Sequence, residues 1–135
     1  MENLWIVRFC QMAAAGIGSM IVAIYGGVDG VLITLAAFVI GDYISGIIAA
    51  AKNHEISSKV GFKGLAKKVL IFVICGVAAI LDHYIMGNSG AIRSMVMIFY
   101  ISNEGISILE NCGRCGVKFP EKLTRIFEAL KEEKK

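Results

Sequence analysis

Four runs of about 20 apolar residues, each ended by glycine or charge, constrain this chain more than any other feature. A bilayer core about 30 Å thick needs roughly 20 helical residues to cross it. The runs cover residues 4–25, 31–51, 69–86 and 91–109. Within hydrocarbon every backbone polar group must be paired inside the protein, so runs of this length are read as helices. The single proline, Pro120, lies outside all four. Fifteen glycines would be too many for soluble helices, but membrane helices tolerate and use them.

Charge gives the runs a direction. Only 19% of the residues are charged, against about 25% in a soluble domain, and 56% are hydrophobic, with a mean hydropathy of +0.68. The stretch 52–68 carries five lysines against Glu55 alone, and 112–135 carries seven basic residues against four acids. The positive-inside rule places both in the cytoplasm. The short glycine-rich turns 26–30 and 87–90 contain no basic residue and fall on the other side. The expectation is an all-α integral membrane protein with a transmembrane domain over 1–111 and a cytoplasmic tail over 112–135. Four spans form two hairpins joined by the basic loop 52–68, with Lys52, Lys59, Lys63, Lys67 and Lys68 setting the topology. Three spans with an external N-terminus is the competing count. It arises because the fourth run has a polar centre, Ser102-Asn103-Glu104, and Arg8 is the first run's only basic residue. The first five residues lack a positive n-region, so the first run is expected to be retained although Ala13-Ala14-Ala15 resembles a cleavage site.

The tail has its own pattern. Phe119, Leu123, Ile126, Phe127 and Leu130 fall at i, i+4, i+7, i+8 and i+11, one apolar stripe. Pro120 suits a first helical turn, and Glu121 with Arg125 makes a favourable i,i+4 pair. This predicts an amphipathic cytoplasmic helix lying on the membrane surface or against a neighbouring tail.

Acids inside the runs are the first candidates for function. Asp42 is near the middle of the second run, Asp82 near the end of the third, and Glu104 lies in a polar patch with Asn103, Ser107 and Asn111. A charge at a helix centre costs about 2.5–3.5 kcal/mol on insertion scales, so such a residue is seldom left facing lipid. Asp42, Asn103, Glu104 and Ser107 are therefore expected to face a polar cavity, a pore or another subunit; a structural hydrogen-bond network within one protomer is the plainer reading. Small residues are the second signal. Ala15, Ser19 and Ala23 recur every fourth residue in the first run, and Gly41, Ser45 and Ala49 in the second, beside Asp42, Gly46 and Ala50. Such rows let helix backbones approach closely, within a protomer or between copies.

Enzymatic chemistry has no support. Cys112 and Cys115 form one C-x-x-C pair, and a zinc site needs two further ligands. His54 and His83 do not complete one, and no nucleophile–base pattern or phosphate loop is present. Neither catalytic residues nor a metal or cofactor is expected. Nucleic acid is not an expected partner either, since lysines flanking spans answer to topology and anionic lipid.

Two blocks carry a family resemblance. Asp42-Tyr43-Ile44-Ser45-Gly46 closes a hydrophobic run and is followed by Ser57-Ser58-Lys59-Val60-Gly61-Phe62-Lys63-Gly64-Leu65 with Lys67-Lys68. Downstream stands Asn103-Glu104-Gly105-Ile106-Ser107-Ile108-Leu109-Glu110-Asn111, then Gly116-Val117, Pro120 and Leu123. In this order, from about Gly41 to Leu130, the chain resembles the phage holins of the toxin-secretion/phage-lysis type. The resemblance implies a non-enzymatic protein of the host's inner membrane. Such proteins self-associate and then open lesions that release an endolysin, or in some relatives a toxin, so the implied partners are the lipid bilayer, further copies of the chain and that cargo. Family members are often described with three spans, and carry small or apolar residues where this chain has Cys112 and Cys115. A small four-helix transporter acting as a dimer, and a membrane adaptor working through its tail, are the alternative classes. A transporter would not depolarise its host, and an adaptor would fail once 119–135 were deleted.

Overall fold

Each helix ends where local chemistry stops it. A computed structural model describes residues 3–132, the side chain of Lys131 excepted; the predicted segments' outermost residues, 1–2 and 133–135, lie outside the described residues. The described residues form five helices and no strand: α1 (Leu4–Tyr25), α2 (Gly30–Lys52), α3 (Ser58–Tyr84), α4 (Ala91–Arg114) and α5 (Glu121–Glu132). α1 stops at Gly26, whose φ of 75° is readily reached without a Cβ, and whose N–H caps the Val22 carbonyl. Asp29 then starts α2, its carboxylate accepting from the Leu32 N–H at 3.0 Å. Pro120, which has no N–H to leave unpaired, stands immediately before α5.

The helices α1, α2 and α3 are long and apolar enough to cross a membrane. α4 is equally long but carries Arg93, Glu104, Glu110 and Arg114 and does not reach that apolarity. The stretch read as a basic loop needs correcting. α3 begins at Ser58, eleven residues before the apolar run at Val69, so only residues 53–57 connect α2 to α3. Lys59, Lys63 and Lys67 are spaced by four along one side of this helix, which forms despite Gly61 and Gly64, and a lysine stripe is no obstacle to a helix that has water along it.

Packing also departs from two hairpins. α4 lies between α2, α3 and α5, whereas α1 packs on α3 and not on α2, its neighbour in sequence. The attachment is at α1's last turn: Ile24 and Tyr25 rest on Gly76, and the Tyr25 hydroxyl donates to the Phe72 carbonyl at 2.6 Å. A core of Leu32, Leu35 and Val39 from α2, Ile71 and Cys75 from α3, and Met97 and Ile101 from α4 fills the space between those three helices. The helical spacing of each set, three, four or seven residues, puts it on one face. Outside that core the apolarity is turned outward. α1 buries no residue, and Trp5, Phe9, Ile40, Ile48, Val73 and Val77 are all exposed. Apolar surface on this scale calls for an apolar surrounding.

Candidate functional site

At mid-bundle the polar residues of three helices meet. Asp42 projects from α2, Lys68 from α3 and Glu104 from α4. The Lys68 ammonium donates to Glu104 at 2.5 Å and also to the Asp42 carboxylate. All three side chains are nearly out of solvent, that of Lys68 11% exposed. Asn111, two turns of α4 beyond Glu104, donates to the Asp42 carboxylate at 3.0 Å and to the Ser45 hydroxyl at 3.1 Å. Two carboxylates around one ammonium leave the group with a formal charge of −1. Ionised groups in a low-dielectric interior are tolerable only when paired and hydrogen-bonded in this manner.

The triad is the floor of a cleft of about 1000 Å³. The cleft separates α3 from α2 and α4 and runs to the 53–57 connection. Tyr43, Ile47, Val60 and Ile106 make its walls apolar; Asn103 and Ser107, one turn apart on α4, face it with Glu104. The expected polar positions Asp42, Asn103, Glu104 and Ser107 are thus brought together on one surface. Lys68, expected to be a topology lysine in a loop, is instead the cation of the triad. Its partner Asp42 is 26 residues away, a pairing that no local spacing announces. Lys59, Lys63 and Lys67 remain exposed, and the Lys52 ammonium donates to the Cys115 carbonyl at 2.5 Å, tying the ends of α2 and α4.

The small-residue rows part company. In α2 the row packs within the protomer: Gly41 lies against Ile108, Gly46 against Asn111, and Ala49 is fully buried. In α1, Ala15, Ser19 and Ala23 are exposed, and the Ser19 hydroxyl turns back to the Ala15 carbonyl at 2.8 Å.

A second charged cluster lies at the opposite end. The Arg93 guanidinium grips the Asp29 carboxylate with two hydrogen bonds, at 2.7 and 3.0 Å. Its backbone N–H donates to Asp82, 2% exposed, which also accepts from Ser89. One side chain of α3 thereby caps α4 while α4 holds the start of α2. Arg93 escaped the sequence reading. The available signal was an arginine, alone in its run, at the same predicted membrane face as two aspartates. Asp29 lies in the turn between α1 and α2, and its hydrogen bond to Arg93 holds its carboxyl below the ordinary value of 3.8. All four cysteines are free, and among the described residues no three His, Cys, Asp or Glu side chains converge as metal ligands.

Comparison with known proteins places this geometry in a family. A protein of Clostridium perfringens, described as an uncharacterized 14.9 kDa protein in the nagH 3′ region, is 40% identical over 99% of this chain and 100% of its own length. An uncharacterized protein of Listeria monocytogenes is 42% identical over 87% of this chain and 86% of its own. A probable holin of Bacillus phage phi105 is 37% identical over 68% of this chain and 67% of its own. No solved structure matches. The model of the bacteriophage holin family matches residues 19–132, from the last two turns of α1 through α5, and so takes in the triad, the cleft and the Arg93 cluster. On that match, over apolar helices of membrane-spanning length, this chain belongs to the bacteriophage holin family.

Proposed function

We propose that the chain is a holin: it accumulates in the bacterial inner membrane, self-associates, and forms lesions that let an endolysin or toxin pass. The observation that carries this reading is the Asp42–Lys68–Glu104 triad, a charged network with a formal charge of −1 inside a bundle whose outer surface is apolar. One protomer in lipid keeps its polar groups on a cleft; several protomers together can give that cleft water. The outward rows of α1, with Ala15, Ser19 and Ala23 unoccupied, offer a surface for close packing between copies.

In this reading α4 is a fourth span. It runs parallel to α2 over its whole length, joined by Asp29–Arg93 at one end and Lys52–Cys115 at the other, so it shares whatever depth α2 has. Its polar face is turned to α2 and α3, which lets a helix of modest apolarity stay in the membrane. The start of α1, the 53–57 connection and the chain beyond α4 are then cytoplasmic, in accord with Lys52, Lys59, Lys63 and Lys67 on the helix ends flanking that connection and with the lysines and arginines beyond α4. The test is inducible expression in a bacterium, reading membrane potential and dye entry. Wild type collapses the potential at a defined time, and Asp42→Asn and Glu104→Gln shift that time at equal protein levels. A host that keeps its potential at full expression would overturn the reading.

A further inference from the structure

The tail helix packs against its own bundle in this structure. From Cys115 the chain turns back, and α5 lies along α4 and reaches α2. The Phe127 ring stands edge-on to Phe38 with centroids 5.8 Å apart. It also occupies the space over Gly105, where a Cβ would come within 2.7 Å of the ring. Glycine at 105 is what lets α5 seat. Gly105 is nine residues, about 13 Å, from the end of α4. Because α2 and α4 share their depth, α5 therefore runs from the inner end of the bundle to its middle, where Phe38 and Gly105 lie. Its outward face carries Lys122, Arg125 and Glu128, all exposed. Charges at that depth cannot be left in hydrocarbon. The opposite side of the bundle, made by α1 and α3, presents Phe9, Met12, Val73 and Val77. Exposed apolar side chains cover most of the bundle, and on α5 the exposed charges stand beside exposed Leu123 and Ile126.

We infer that the α4–α5 side lines the water-filled lumen of the assembled lesion, with the charged face of α5 turned into it and Phe127 over Gly105 holding it there. This rests on the holin reading and adds to it the surface that meets the passing solution. Before assembly, with lipid on that side, α5 comes away to the cytoplasmic surface, so seating of Phe127 accompanies opening.

The experiment uses the full chain, with its four cysteines replaced by alanine, in planar bilayers. Glu128→Cys and, as a lipid-side control, Val73→Cys are treated with a bulky cationic thiol reagent. A stepwise loss of current is expected for Glu128→Cys and none for Val73→Cys. In the same bilayers Phe127→Ala and Gly105→Leu, which unseat α5 from opposite partners, lower the open current while the amount of inserted protein is unchanged. Current that survives complete modification of the thiol in Glu128→Cys, or a thiol there that never reacts in open bilayers, overturns the assignment, as does Phe127→Ala passing as much current as wild type. If the unmodified chain passes no current at all, the holin reading itself fails and this one falls with it.

Discussion

Lys68 carries its ammonium into the side of the bundle and is met there by two carboxylates from two other helices. Removing one partner from a buried ionic group typically costs about 3–5 kcal/mol, because the remaining charge is left unpaired. Lys68→Met leaves Asp42 and Glu104 facing each other and is expected to lower the thermal midpoint in detergent strongly. Adding Asp42→Asn and Glu104→Gln to that variant removes the repulsion and should restore most of the loss; no recovery in the triple variant would show that Lys68 acts through packing instead. Asp29 gives a pH prediction. Its carboxyl is lowered by Arg93, so its contribution to stability is fully present above the ordinary carboxyl value and disappears as pH falls through the lowered one. Asp29's share of the stability, read as the difference in melting temperature between wild type and Asp29→Asn, should be constant from pH 7 to about 5 and be lost only in acid below about 4. That share is small, since the Asp29 side chain is half exposed and solvent screens the pair.

Among the elements, the two small-residue rows separate packing within the chain from packing between chains. Gly41 has Ile108 at 3.3 Å from where a Cβ would stand, so Gly41→Leu overpacks the α2–α4 contact and should destabilise the protomer by about 1–3 kcal/mol. Ala15→Leu meets open space on α1. It should leave the melting temperature unchanged and reduce chemical cross-linking between copies in membranes; unaltered cross-linking would take the α1 row out of the assembly. The elements were unequally legible. α1 occupies residues 4–25 as its apolar run implies, and α5 keeps Leu123, Ile126, Phe127 and Leu130 of the predicted stripe in one helix, whereas Phe119 lies before it. The start of α3 was hidden because lysines at 59, 63 and 67 look alike on a loop and on a wet helix. Lys68 was misplaced by the same resemblance, one residue short of the apolar run that carries it into the bundle. The seat of Phe127 on Gly105 was beyond reach, since a stripe states which face is apolar but not what covers it.

For the whole molecule, most of what the sequence conveyed was solvent: long apolar runs call for lipid, and the structure keeps that apolarity on the outside around a small core. Tertiary order was less accessible. Nothing in the composition of α1 says that it will leave α2 and lean on α3 through Tyr25 and Gly76. The fastening of the bundle is unequal from end to end. Asp29, Arg93 and Asp82 stitch α2, α3 and α4 together where the short turns are, while the far half of α3 stands off across the cleft with Lys68 as its bridge. A body pinned like a pair of compasses can widen only at its free legs. Spin labels at Val60 and Glu110 should therefore report a broader, activation-sensitive distance than a pair at Val28 and Ala91, and whatever sets such a protein off would act from the side where the legs are open.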